Sequence, residues 1–307
     1  MSNWCITPNN NDLMHYGVKG MKWGVRRYQN PDGSLTNAGR EHYGRKIRYT
    51  GLSEEDKRNR KKALAKAIAL SAVAPISLVH PVIAASVISE ASLQYKIANS
   101  YKKQEKIYDE IDANTNIDKK TGLKLKQKET SEKEDIECVN PKYWQFKNEA
   151  ENNCAMCSIA FALRKQGYDV SASTTSRGMT DSEITRTFKN SKVTPIASNR
   201  NDSKLTRERA NATIDKIQTD ANNTSGIITV SWYPQAGHAM NYEVVNNKIR
   251  IIDTQCSKVY DKPKDIRKMF EHTKEVSIIR CDNLSPNPKY AKECIYDGTK
   301  RKDDGTV

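Results

Sequence analysis

Between Asn152 and Val170 the apolar residues Met156, Ile159, Ala160 and Leu163 recur at i, i+3, i+4 and i+7, the period of a helix with one buried face. Asn153 stands where an N-cap belongs and Gly167 where the chain leaves the helix. Farther on, Ile227 to Trp232 reads as a buried strand. Two more strand patterns flank Asn246-Asn247, a pair suited to a two-residue type I′ turn. That turn pairs 245 with 248 and, counting outward, 240 with 253 and 238 with 255. One face then carries His238, Met240, Tyr242 and Val244 beside Ile249, Ile251, Asp253 and Gln255. The other carries Asn241 and Glu243 beside Arg250, an expected exposed cross-strand ion pair; a one-residue slip would send the apolar set to solvent.

Outside this region the pattern changes. A charged run at 54–62 gives way to Ala67–Ser89, which holds no Asp, Glu, Lys or Arg and is interrupted by Pro75, His80 and Pro81. Its length reaches that of a membrane-crossing helix, so two readings stand: a membrane-inserting segment, or a helical hairpin that is soluble or buried in an oligomer. Residues 96–136 are strongly charged, with Tyr, Ile and Leu loosely at helical spacing, and break near Asn114 and Thr121-Gly122. The expected organisation is a docking module at 1–53, the basic and hydrophobic segment at 54–100, a charged helical linker at 101–136, a folded α+β domain at 137–282 and a disordered tail at 283–307.

Composition sharpens this picture. Only 36% of the 307 residues are hydrophobic and the mean hydropathy is -0.79, which argues for one compact domain with polar appendages. A net charge of +14 fits contact with nucleic acid, an anionic membrane or an acidic partner without choosing among them. Seven scattered cysteines do not make a disulfide framework, so a reducing compartment is expected, and Met1–Asn11 lacks the apolar stretch of a secretory signal. Within 12–50, Gly17, Gly20 and Gly24 argue against a regular helix, while Met21, Trp23 and Tyr28 are anchors for a partner. A basic nucleic-acid-binding arm is the alternative. The string HYGVKGMKWGVRRYQNPDGSLTNAGR resembles a short N-terminal module of virion-associated proteins from tailed phages and prophages.

The candidate chemistry lies in the folded region. Cys154 falls in the first turn of the predicted helix, where free backbone N–H groups and the helix dipole favour thiolate over thiol. Cys157 lies one turn on and about 60° round, an alternative nucleophile or a packing neighbour. His238 and Asp253 are diagonal neighbours on one face of the hairpin, within reach for a carboxylate to orient an imidazole, and Gln255 lies across from His238. Cys, His and Asp are the nucleophile, base and orienter of thiol acyl transfer. The Cys154 N–H with an amide from Asn148, Asn153 or Gln255 is the expected oxyanion site.

At these residues the segments NNCAMCSIAFALRKQGYDV and SGIITVSWYPQAGHAMNYEVVNNKIRIIDTQ resemble the papain-fold toxin (Tox-PL) domain, found in polymorphic toxins and phage head-associated proteins. The resemblance spans roughly 140–282. It implies a papain-like cysteine hydrolase fold of the glutamine-deamidase type, with Cys154 as nucleophile, His238 as base and Asp253 as orienting group. Asp253-Thr-Gln replaces the Asp-Pro-Gln or Asp-Gly-Gln of the family, sparing the Asp, and the loop Tyr233-Pro-Gln-Ala-Gly before His238 is poorer in glycine.

Competing readings are a zinc site, with Cys256, Cys281 or His238 joining Cys154 and Cys157, a redox Cys-x-x-Cys, and a purely structural His238. His15, His42, His80 and His272 read as structural or surface residues, and Cys5, Cys138 and Cys294 as incidental. The sequence thus predicts a phage- or prophage-encoded, virion-associated thiol hydrolase, most readily a protein-glutamine deamidase acting in the virion or the host cytoplasm. It needs no cofactor, and it takes a protein substrate. Capsid or head proteins, packaged DNA or an anionic membrane are the expected contacts of its basic N-terminal region. A catalytically silent minor capsid or head-associated protein is the main rival, and a cysteine protease the second.

Overall fold

A computed structural model describes residues 54–74, 81–146, 148–175, 177–198, 205–232 and 236–298. The N-terminal module, with Met21, Trp23, Tyr28, His15, His42 and Cys5, lies outside these residues, as do Pro75, His80, Tyr233-Pro-Gln and the last nine positions. In chain order the elements are α1 (Glu54–Val73), α2 (Pro81–Ala113), α3 (Glu132–Val139), a 3-10 turn (Tyr143–Gln145), α4 (Asn148–Glu151) and α5 (Cys154–Lys165). They continue with β1 (Ser171–Ala172), α6 (Asp181–Thr185), β2 (Val193–Ser198), α7 (Arg207–Asp220), β3 (Thr224–Trp232), β4 (Ala236–Val245) and β5 (Lys248–Asp253). Last come β6 (Lys258–Tyr260), α8 (Pro263–Phe270), β7 (Thr273–Arg280), α9 (Pro288–Cys294) and β8 (Ile295–Tyr296).

Six strands form one antiparallel sheet in the order β2-β7-β3-β4-β5-β6. The dipeptides Ile227-Ile228, Ile251-Ile252 and Ile278-Ile279 put an apolar residue on each face of their strands, because successive side chains point opposite ways. Both faces are accordingly covered. Ile227, Ala239, Ile252 and Ile279 pack with Ile159, Phe161 and Leu163 of α5. Ile228, Val230, Met240, Tyr242, Ile251 and Val276 pack with Ile214 and Ile217 of α7 and Ile266 and Phe270 of α8. Gly226 is required where β3 meets β7, since a Cβ there would lie 2.2 Å from the Ile279 carbonyl oxygen.

The predicted hairpin is present in its predicted register. Asn246 and Asn247 take φ of 50° and 56°, and pairing runs from Val245 with Lys248 to Asn241 with Ile252. The face expected to be exposed is not. Because α5 lies across it, Asn241 is buried with its side-chain amide donating to the Ser158 carbonyl, and the Glu243–Arg250 pair is partly covered and shared with Glu132.

The boundaries expected at 137 and 282 are both too narrow. Leu123, Ile136 and Val139 from the supposed linker lie in the same core as α5, as do Ala291, Cys294 and Ile295 from the supposed tail. β8 pairs with β1, and Tyr296 stacks on Tyr108 of α2 with ring centroids 4.3 Å apart. Several of the charges in these segments are buried in pairs. Arg164 joins Asp135 at 2.9 Å and Asp169 at 3.2 Å, and Lys126 reaches Asp135 at 2.7 Å, tying α3 to the end of α5. Gly167, at φ 91°, ends α5, with Tyr168 N–H donating back to Leu163.

Of residues 67–89, 67–73 belong to α1 and 81–89 to α2, which pack against each other as an antiparallel pair, and 75–80 lie outside the described residues. No described helix is long and apolar enough to cross a membrane.

If β8 is part of the core, Ile295→Ala will destabilise the domain by about 2–5 kcal/mol, the range for deleting a buried aliphatic side chain. Urea unfolding followed by circular dichroism reads this directly, and an unchanged midpoint would return the segment to a dispensable tail.

Candidate active site

The start of α5 lies against the end of the β4–β5 hairpin, and this junction brings Cys154, His238 and Asp253 together. His238 lies on β4 opposite Val230 of β3 and Asp253 is the last residue of β5. His238 Nε2 and Asp253 Oδ2 are 2.8 Å apart, with only 8% of the histidine and 2% of the aspartate exposed. The other ring nitrogen is thereby left for Cys154, whose Sγ is hydrogen-bonded by His238 and by the backbone N–H of Ala239.

These contacts set the protonation of the pair. Burial by itself would push the Cys154 thiol up, but the hydrogen bond and charge of His238, with the Ala239 N–H, bring it below the ordinary thiol value. Burial would lower His238, but the charge and hydrogen bond of Asp253, together with Cys154, hold it well above the usual imidazole value. Both directions favour a thiolate facing an imidazolium. The Trp232 ring stacks on His238 with centroids 5.7 Å apart and the planes 23° from parallel, which shields one face of the imidazole from water.

The two cysteines of Cys154-x-x-Cys157 occupy different environments. Cys154 is half-buried at the helix start, whereas Cys157 is 0% exposed and donates to Asn153 Oδ1 at 3.3 Å. Burial, followed by the proximity of Cys154 and Asp253, raises the Cys157 thiol well above its ordinary value, so it stays neutral. Cys281 points elsewhere, toward the Ile279 carbonyl. Among the described residues no three His, Cys, Asp or Glu side chains are grouped to hold a metal.

The amides expected to stabilise an oxyanion have other partners. Asn153 occupies the N-cap position and its carbonyl accepts from Cys157 N–H, but its side chain does not cap the helix. Asn153 Nδ2 instead donates to the Ser173 carbonyl at 3.2 Å and to Asn140 Oδ1 at 3.3 Å. Gln255 Nε2 donates to the Glu151 carbonyl at 2.6 Å and to Asn153 Oδ1 at 3.4 Å. Both donors are committed to the protein, and with Asn140, whose amide also reaches the Ala150 and Gln255 carbonyls, they form a buried network around the helix start. The side chain of Asn148 lies outside the described residues. The backbone N–H of Cys154, in the first turn, has no acceptor four residues back within its own helix.

Sequence reasoning missed Asn140, Ala239 and Trp232. For Ala239 no signal existed, since its contribution is a backbone group. Trp232 was within reach: had β3 been paired with β4, Trp232 would fall beside His238 through its parity with Val230. Asn140 carries no local pattern that marks it.

Residues 152–258 match the family described as papain fold toxin 1, glutamine deamidase. Residues 7–30 match a family of unknown function (DUF7211). No curated protein and no solved structure matches the chain. The fold is therefore papain-like α+β, a cysteine-bearing helix packed on an antiparallel sheet that carries the histidine and the aspartate.

The opposite shifts of the two thiols give a direct test. The lowered Cys154 value means a larger thiolate fraction at neutral pH than an ordinary thiol has, so iodoacetamide will label Cys154 at neutral pH while Cys157 stays unlabelled in the folded protein. Peptide mapping after brief alkylation distinguishes them, and preferential labelling of Cys157 would reverse the assignment. Labelling of Cys154 in His238→Ala will require a higher pH, because burial then acts on the thiol without the imidazolium to oppose it.

Proposed function

We propose that the domain hydrolyses the side-chain carboxamide of protein glutamine through a thioester on Cys154. One observation carries the reading: Cys154 Sγ is held at a helix start by His238 and the Ala239 N–H, with the imidazole tied to a buried carboxylate at 2.8 Å. Glutamine as the target is supported by the family matched at 152–258.

In this scheme the Cys154 thiolate attacks the carboxamide carbon, and the carbonyl π electrons move to oxygen. The oxyanion lies near the Cys154 N–H, where the helix dipole also favours negative charge. Collapse expels the amine, which takes a proton from the His238 imidazolium and leaves as ammonia. The neutral imidazole then removes a proton from water as the hydroxide adds to the thioester. A second collapse releases the carboxylic acid and restores thiolate and imidazolium; the acid's proton passes through solvent to the ammonia, so the net change is glutamine and water to glutamate and ammonium. Asp253 holds the imidazole in the productive orientation through both steps. Asn153 and Gln255 act by fixing the helix start against the end of the hairpin.

The biological setting, a phage or prophage virion and its bacterial host, rests on the resemblance of the N-terminal string alone. A virion-associated effector that modifies a host protein is the form of the proposal that joins both ends of the chain.

Ammonia release from a bacterial protein lysate by the full chain tests the chemistry. Cys154→Ala and His238→Ala are expected to abolish release, and Asp253→Asn to lower it on the order of 10²–10⁴-fold. Cys157→Ala is expected to retain it. Mass spectrometry of the treated proteins should find glutamine converted to glutamate. Release that survives Cys154→Ala would refute the mechanism, and new peptide termini in place of ammonia would make the domain a protease.

A further inference from the structure

The α1–α2 hairpin is built with its side chains in an order opposite to that of a hairpin stabilised by water. A water-exposed helix pair buries its large apolar residues in the seam and leaves small or polar ones outside. Among the described residues between 57 and 99 the fully buried positions are all alanines, Ala63 and Ala67 of α1 and Ala84, Ala91 and Ala98 of α2, the last three spaced seven residues apart, while Leu70, Val87, Leu93 and Ile97 are half-buried. Leu64, Ile68, Val73, Val82, Ile83 and Ile88 are exposed, Val82 at 82% and Ile68 at 55%. Small residues inside and large apolar residues outside is the arrangement of helices that pack where the surroundings are as apolar as they are.

Charge is graded along the hairpin axis. α1 begins charged and ends apolar, and α2 does the reverse, so the antiparallel pair gathers its uncharged ends, Ala67–Val73 and Pro81–Ser89, at one tip. The contacts of α2 with the domain run from Lys96, above the Trp144 ring, through Ser100 and Gln104 to Tyr108, so they lie beyond the uncharged stretch. Behind the tip, residues 57–104 hold nine Lys or Arg and a single acid, Glu90. Arg60 and Lys66 bridge to α2, while Arg58, Lys61 and Lys62 are exposed.

We propose that this tip enters one leaflet of an anionic bilayer, with the basic residues behind it at the headgroups. At 1.5 Å per residue the uncharged ends measure about 10 and 13 Å, well short of the ~30 Å hydrocarbon core. That depth fits insertion from one side and agrees with the lack of a spanning helix among the described residues. The basic collar selects anionic lipid. It also disfavours a second copy as the occupant, since two tips meeting would bring two basic collars together.

Flotation of the full chain with vesicles tests this. The chain is expected to float with phosphatidylcholine vesicles containing phosphatidylglycerol and to remain behind with phosphatidylcholine alone. The double variant Ile68→Glu, Ile83→Glu should reduce binding at least tenfold, while Lys61→Glu, Lys62→Glu should weaken it and flatten its salt dependence. All four positions are exposed, and unchanged circular dichroism with unchanged Cys154 alkylation verifies folding. Flotation that persists undiminished in the Ile68→Glu, Ile83→Glu variant would overturn the proposal. So would failure of the parent to float, and light scattering then tells which surface covers the tip: an oligomer that those two substitutions dissociate identifies a second copy.

Discussion

A protonated imidazole buried to 8% exposure is stable only if a counter-charge is buried with it, and the Asp253 carboxylate at 2.8 Å supplies that charge. Both groups come from the backbone of one hairpin, so their separation is fixed by strand register rather than by a flexible loop. The thiol of Cys154 completes the arrangement from a different element, and its ionisation answers to the same pair. Remove the register, and neither the raised imidazole nor the lowered thiol follows.

What aligns the helix start with the hairpin end is a set of polar groups rather than apolar packing. Asn140, Asn153 and Gln255 exchange hydrogen bonds across three separate segments, each amide having several partners. Such a network is directional, so it fixes position more tightly than an apolar contact of the same area. At the other end of α5, Arg164 is held between Asp135 and Asp169, which anchors the helix against α3. The helix is thus pinned at both ends while its middle packs on the sheet.

The pair of cysteines illustrates how environment outweighs residue type. Cys154 and Cys157 are one turn apart on the same helix, yet one faces an imidazole and a backbone N–H and the other faces the core. Proximity to the helix N-terminus applies to both. The difference is the direction of the side chain, and with it the presence or absence of a cation.

Local pattern determined a good deal of this protein. The period of 156–163 gave the helix, Asn246-Asn247 gave the turn, and alternation on either side gave the register that places His238 beside Asp253. Each follows from interactions between residues near in sequence, whose geometry the backbone repeats enforce. The exposed or buried status of Glu243 and Asn241, the fate of the charges at 124–136 and the inclusion of β8 in the core were not legible. They depend on which element covers which face, and α5, β1 and α2 reach their positions through contacts between distant segments. Which of Cys154 and Cys157 faces the imidazole depends on packing in the same way, because thiol ionisation is set by the charges and dipoles that tertiary structure brings within a few ångströms. Spacing along the chain marked the candidate residues; only the folded arrangement determined which sulfur meets the imidazole and which amides are already spent.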